Sequence, residues 1–482
     1  MKKIILINFL FFASFLIVFA QDQKDALRYS QAFYSGNSRS ASIGNAIGSL
    51  GGNSMSLSIN PAGLGVYKGY ELSISPGFYF NNTDANYLNN KSSDNDYSLK
   101  ISNFGFIGSF YPYDYEYKAE GDNSEWESIN FGFAYNTLNN FNKNVLFEGI
   151  NNSSSKLDDI IYSENSGVKT HFGNLAYENL MFYDTIKNEY WTDVSDDKDI
   201  NLLQKSSNAS SGSLGEYVLS IGANYNHKIY IGASFGIQKV YYKEYSEYSE
   251  EDFNDSTENF NSFKYSQNLT TKGSGTNFKF GIIIRPIDMV RIGLAMHTPT
   301  WLKLEDEYDE NLQTSTTDGN FDIYSDKFYE DYELTTPAKF IGSLSLVFKR
   351  GFLSMDYEII DYSFARLRGD NYSYNDENKN ITNDYKTVSN LRIGGELNLD
   401  IIYLRAGYSY YGSPYENSDF DNNEYISISG GMGVRVDNVF IDFAYINSTQ
   451  KANYYPYKSF ENTFAKLENN NNQMLITLGM KF

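Results

Sequence analysis

The chain is 482 residues long, with 60 acidic against 39 basic side chains and a formal net charge of -21, a balance that argues against nucleic acid as a partner because phosphate binding needs clustered Lys and Arg. It has no cysteine, which removes disulfides, thiolate metal sites, cysteine catalysis and a lipidated cysteine anchor together. The 43 Tyr, 35 Phe and 37 Gly against 8 Pro are the profile of a large antiparallel β protein with aromatic girdles, and a mean hydropathy of -0.47 does not exclude a membrane, since a barrel strand meets lipid only at every second residue.

Lys2 and Lys3 precede an apolar run over residues 4–19 that closes on Val18-Phe19-Ala20, which predicts a signal peptide over residues 1–20 and a mature chain from Gln21. No other run approaches the roughly 20 apolar residues that a spanning helix requires, so strands must carry any membrane passage. Residues 21–68 do not alternate. They hold small residues, among them Gly44-Asn45-Ala46, and end in Asn60-Pro61-Ala62-Gly63-Leu64-Gly65. Pro61 locks its own φ and pushes Asn60 out of helical geometry, while Gly63 and Gly65 permit a tight path. A stiff, small-residue knot of this kind fits inside a barrel, and residues 21–68 are expected to form a hatch.

From residue 69 onward period-two alternation recurs, with connections alternately very short and long, as in a barrel with periplasmic turns and external loops. Strands are expected near 69–80, 97–110, 126–140, 212–226, 228–246, 262–286, 289–308, 332–348, 351–366, 384–398, 401–413, 422–436, 438–450 and 470–482. That is an all-β transmembrane antiparallel barrel of about fourteen strands over residues 69–482. Faces sort cleanly: Leu353, Met355, Tyr357 and Ile359 face lipid against Asp356 and Glu358, and Ile402, Leu404, Ala406 and Tyr408 face lipid against Arg405. Met474, Ile476, Leu478, Met480 and Phe482 share one face of the last strand, which ends on its aromatic.

The largest departure from strand texture is a long external connection over residues 141–211. Within it residues 174–187 suggest an amphipathic helix with Ala176, Leu180 and Tyr183 on one side. Leu180, Met181 and Phe182 are therefore candidates for a first apolar landing site, or else for side chains that pack the loop down as a lid. Inward Arg291, Arg392 and Arg405 are candidates for a carboxylate ligand, with Glu396, Asp356, Glu358 and Asp442 available as competing partners. Acidic runs at 250–252, 305–307 and 419–424 read as solvated loops, with divalent-cation bridging to lipopolysaccharide headgroups as a sharper reading. His171, His227 and His297 are scattered, so neither a metal cluster nor a nucleophile relay is visible and no cofactor is expected.

Taken together, the leader, Gly44-Asn45-Ala46, Asn60-Pro61-Ala62 ahead of the first strand and the terminal Phe482 resemble the FadL/TodX outer-membrane channels for long-chain fatty acids and aromatic hydrocarbons. The resemblance covers essentially the whole mature chain. It implies a monomeric barrel in outer-membrane lipid whose hatch includes Gly44, Asn45, Ala46, Asn60, Pro61 and Ala62. It further implies passive uptake of a hydrophobic small molecule by loop capture, an interior pocket and lateral release through the wall, with no chemistry. A rival of another class is a family-related, protein-interacting component of type IX secretion, which would need a wide polar lumen for a peptide tail.

Overall fold

The computed structural model describes residues 23–111, 125–177, 179–194, 200–254, 257–370, 372–417, 423–457 and 463–482. The expected signal peptide lies outside the described residues, as does most of the acidic run 419–424. Among the described residues no helix is long and apolar enough to cross a membrane. Fourteen antiparallel strands do so, closed into a barrel.

The first strand, Glu71–Tyr87, pairs with both the second, Asn90–Phe110, and the last, Ala465–Lys481. Tyr70 and Phe482 complete the closure: each backbone N–H donates to the other's carbonyl, at 2.7 and 3.0 Å, and their rings stack with centroids 5.8 Å apart. The short turns work because small polar residues accept left-handed backbone there. Asn226 and His227 both have positive φ, as do Asp400 and Asp437, the geometry of tight hairpins.

The two faces separate as alternation requires. In the strand Gly351–Asp361, Leu353, Met355, Tyr357 and Ile359 are exposed outward while Ser354, Asp356 and Glu358 are buried. Charge on the outward face costs about 2–4 kcal/mol at the bilayer midplane, so the outer band is uniformly apolar and the charges turn inward. An apolar band of this kind, on a barrel of this kind, places the protein in an outer membrane.

Residues 23–68 are buried inside this wall and are held by its inward side chains. Helices Gln23–Ser30, Ser38–Ala41 and Ser56–Ile59 and the 3-10 helix Pro61–Val66 carry the segment. Ser38 N–H donates to Thr477 Oγ1 (2.8 Å), Gly48 N–H to Asp356 Oδ2 (3.0 Å), Ser58 Oγ to Glu216 Oε2 (2.6 Å), and Ser409 Oγ donates to Gly44 O (2.9 Å). Glycine stands where the segment's backbone touches the wall. A Cβ on Gly232 would lie 2.3 Å from Pro61 O, on Gly394 2.2 Å from Ile43 O, and on Gly407 2.2 Å from Gly44 N. The paired Gly430 and Gly431 divide the same labour: Gly431 faces in against Ser42, whereas Gly430 faces out.

Several strands run further outward than alternation alone suggested. The fourth and fifth, Leu202–Tyr225 and Ile229–Asp252, the sixth, Phe260–Ile287, and the strand Trp301–Thr316 that follows it rise well above the membrane, so the acidic runs 250–252 and 305–307 lie in strands, with Glu250 and Asp306 turned in and buried. The long connection is correspondingly shorter, because Lys143–Asn151 continues the third strand, Trp126–Asn140, and pairs with 202–210. Among the described residues no helix spans 174–187. Helices form at Lys156–Asn165 and His171–Ala176, and Phe182–Asp184 pairs with Glu189–Trp191 as a small hairpin. The reason is local: Asp184 Oδ1 accepts from the N–H groups of Ile186 and Lys187, Asn188 takes positive φ, and Phe182 packs against Trp191 across the pair.

Candidate functional site: a seam in the wall beside an interior cavity

The second and third strands pair only from Asn103 opposite Asn136 to Phe110 opposite Ile129. Above that point 90–102 pairs with the first strand alone, and Lys143–Asn151 pairs with the fourth alone. Side chains bridge the missing ladder instead. Thr137 Oγ1 donates to Ile101 O (2.9 Å), Asn144 Nδ2 to Asn95 O (3.2 Å) and Asn90 Nδ2 to Glu148 O (3.0 Å). Lys100 Nζ donates to Asn140 Oδ1 (2.5 Å), Asn142 Oδ1 (2.5 Å) and Gly212 O (2.6 Å). The third strand breaks at Phe141 and Asn142, and opposite it Gly212 takes φ +119, a conformation that L side chains rarely adopt. The result is a seam, closed by separable side-chain bonds rather than by a backbone ladder.

Inside the wall at this level, above the N-terminal segment, lies a cavity of about 350 Å³ that continues into one of about 620 Å³ beneath the loop. Lys24, Arg28, Lys143, Asn208, Glu244 and Tyr454 line both. Arg28 pairs with Asp25 and lies over the Tyr242 ring at 4.1 Å, while Lys143 has no ion-pair partner among the described residues. An acidic protein therefore presents several cations along its inner path.

The roof is the loop over residues 152–201. Leu157, Ile160, Phe172, Leu180, Met181 and Val194 form a core with Tyr248, Phe263 and Tyr265 of the extended strands. Helix Lys156–Asn165 is fastened at its start: Ser155 caps it in a capping box with Asp158, and Glu250 accepts from Ser155 Oγ, from Lys156 N–H (2.8 Å), from Tyr248 Oη (2.8 Å) and from Gln204 Nε2 (2.9 Å). Glu250 stands nine residues beyond Tyr241, above the bilayer. Burial raises its pKa against the lowering effect of those donors.

The residues singled out from sequence distribute as follows. Asn60 Oδ1 accepts from Ala62 N–H (3.1 Å) to cap the helix Pro61–Val66, and its Nδ2 donates to Gly48 O (2.6 Å). Asn45 Nδ2 donates to Tyr34 O (2.7 Å), and Gly44 and Ala46 are buried beside it. Arg392 lies between Glu358 (3.2 Å) and Asp356 (3.7 Å), Arg405 between Asp442 (2.6 Å) and Glu396 (2.7 Å), and Arg291 donates to Leu50 O (2.5 Å). None of the three arginines lines either cavity, and neither do Leu180, Met181 and Phe182. The lining residues Asn81, Asn140, Asn142, Lys143 and Phe172 were not singled out. The signal available for the fixed loop was Ser155-Lys156-Leu157-Asp158, a capping-box spacing ahead of Ile160.

Fold and interior together define an outer-membrane barrel with an occupied lumen and an interrupted wall. No protein-family profile matches the sequence, and no curated protein sequence matches it. Among solved structures the chain is similar to a Pseudomonas aeruginosa FadL homologue, at 13% identity over 94% of this chain and 99% of that one, with a TM-score of 0.55. It is similar to the P. putida toluene transporter TodX at 11% identity over 92% and 97%, with a TM-score of 0.53. At these identities the likeness is one of fold, and the fold is that of the FadL/TodX channels.

Proposed function

We propose that this chain is an outer-membrane channel for passive uptake of hydrophobic small molecules, of the long-chain fatty acid or aromatic hydrocarbon class. A molecule is captured at the outer loops, enters the cavity below the 152–201 roof, and leaves sideways into the bilayer through the foot of the seam, beside Ile101 and Thr137, where the outward residues Leu99 and Ile101 are still apolar. The observation that carries this reading is the missing ladder above Asn103 and Asn136, because a wall there parts at the expense of a few side-chain bonds instead of a row of backbone ones. Lateral exit keeps an apolar solute out of water, and the N-terminal segment acts as a hatch that blocks the direct path. Cations at Lys24, Arg28 and Lys143 suit an amphiphile with an acidic head. A lumen divided into compartments of about 350 and 620 Å³ favours a small molecule over the peptide tail that a type IX secretion component would accept.

The absence of native cysteine supplies the test. Cysteines at Asn95 and Asn144, which bond across the seam, are joined by a reducible thiol cross-linker in cells that otherwise lack such a channel. Uptake of labelled oleate and toluene should fall on cross-linking and return on reduction. Uptake indifferent to the cross-link would remove the seam from the path.

A further inference from the structure

Above the apolar band the outward face of the fifth strand changes character: Ile231, Phe235 and Ile237 give way to Lys239, Tyr241 and Lys243. Opposite Tyr241 on the sixth strand stands Lys272, with Ser274 opposite Lys239 and Thr270 opposite Lys243. Lys239 and Lys243 are therefore diagonal neighbours of Lys272, about 7–8 Å away along the sheet, and the three lysines surround one exposed Tyr ring. On the other side the fourth strand sets Gly215, Ser213 and Ser211 opposite Lys239, Tyr241 and Lys243. All three lysines are exposed, among small and hydroxyl-bearing neighbours.

The height of this patch follows from strand length. A tilted barrel strand needs roughly 9–11 residues to cross the hydrocarbon, and counted from Ile229, beside the short turn at Asn226 and His227, that length ends at Lys239. Tyr241 and Trp301, exposed at 47% and 48%, mark the same outer interface. The chain carries a net charge of -21, yet none of Lys239, Lys243 and Lys272 forms an ion pair among the described residues, whereas Lys264 pairs with Glu247 (3.5 Å) and Lys303 with Glu333 (3.3 Å). The acids nearest by register are Glu305, opposite Lys272, and Glu307, which Lys327 holds at 2.5 Å. About ten residues from the short turns at Asp400 and Asp437, by contrast, Ser389, Ile426 and Thr449 face outward and bring no cation, and Lys451 beyond them is paired with Glu468 (4.0 Å).

We infer that Lys239, Lys243 and Lys272 form a docking surface for a phosphate group of lipopolysaccharide, the phosphorylated glycolipid that faces this side of an outer membrane. Like charges gathered without counter-ions at a lipid interface are offset by an anion of more than one charge, and a phosphate at head-group height supplies it. The ammonium groups take the phosphate oxygens, the hydroxyls of Ser213, Ser274 and Thr270 are donors beside them, and the acyl chains lie against Ile237, Phe235 and Phe278 below. Direct ammonium contacts take the place of the cation-bridged carboxylates expected at 250–252 and 305–307, where Glu250 and Asp306 turn inward. The inference needs only the barrel and its orientation, and is independent of what the channel carries.

The test uses the full barrel in detergent, titrated with diphosphoryl lipid A, its phosphate-free form and phosphatidylglycerol, with bound lipid counted by native mass spectrometry. Diphosphoryl lipid A should bind, and removing its phosphates should weaken it by about tenfold or more. Lys239→Gln, Lys243→Gln and Lys272→Gln should each weaken it about fivefold, the scale of one lysine beside an anionic lipid surface, and the triple variant about a hundredfold. Lys264→Gln, whose lysine Glu247 already holds, should stay within about twofold of the native barrel. Heat-modifiable gel mobility verifies that each variant is a folded barrel. A triple variant that binds diphosphoryl lipid A as the native barrel does would overturn the inference. So would equal binding of phosphate-free lipid A, which would reduce the contact to acyl chains on the apolar band. Phosphatidylglycerol bound as tightly through the same lysines would overturn the assignment to the glycolipid.

Discussion

Asn60 and Gly281 contend for one position: a Cβ built on Gly281 would lie 1.9 Å from Asn60 Oδ1, so the wall strand can carry no side chain where the Asn60 amide sits. That amide caps Pro61–Val66 and ties Asn60 to Gly48. Asn60→Ala should cost about 1–3 kcal/mol through the lost cap and the lost buried bond. Gly281→Ala should cost a similar amount by overpacking, about 1–3 kcal/mol. The double variant removes the competitor along with the cap, so its loss should be less than the sum. Urea midpoints of the heat-modifiable band measure all three, and strict additivity would mean that the two residues do not share the space.

Arg405 illustrates what the inward charges do. Its guanidinium holds Glu396 and Asp442, and Glu396 also meets Arg39 of the inner segment at 3.2 Å. Arg405→Met should destabilise the barrel by about 3–5 kcal/mol, because buried Asp442 loses its counter-ion and Glu396 is left with Arg39 alone. Adding Asp442→Asn to that variant should recover part of the loss, since one uncompensated charge is gone. Denaturant unfolding of the two variants decides this, and no recovery would place the cost in packing.

Strand number and facing were legible because alternation is written in every strand: Met355 against Asp356 and Leu404 against Arg405 read correctly from residue type alone. The site was less legible, for two physical reasons. The seam depends on which strand a segment fails to pair with, and residues 143–151 alternate as a paired strand would. The cavity is lined by amides at positions such as Asn469, Asn471 and Gln473, in a run that resembles a polar loop until the register of the last strand turns those three inward. Residues 174–187 misled in the opposite way. Their apolar spacing suits a helix, but an Asp184 turn and the cross-strand pairs of Phe182 with Trp191 and Tyr183 with Tyr190 favour a hairpin.

The roof should loosen as pH rises. Burial raises the folded-state pKa of Glu250, so the docked loop binds a proton more readily than the undocked one. For a raised acid the stabilisation is fully present below the undocked value, near 4, and is lost as pH rises through the docked value. Hydrogen exchange at helix Lys156–Asn165, corrected for the intrinsic pH dependence, should accelerate across that window in the native protein. In Glu250→Gln the excess should vanish while the helix stays capped by Ser155. A native profile as flat as the variant's would show that the carboxyl does not titrate there.

Lys100 should set how tightly the seam is held. Its ammonium reaches Asn140 and Asn142 of the broken third strand and the carbonyl of Gly212 on the fourth, so one side chain spans the gap that the ladder leaves. Lys100→Met keeps the length of the stem and removes all three bonds. Bonds to a charged donor contribute about 1.5–3 kcal/mol, and the amide oxygens of Asn140 and Asn142 would be left to each other's N–H groups or to water. The expected outcome is a wider and broader distance distribution between spin labels at positions 95 and 144, together with a faster rate of solute entry. If closing bonds and not capture limit passage, the two readouts move together. A widened seam with unchanged uptake would locate the slow step at the roof, and the Glu250→Gln variant would then be the one that alters the rate.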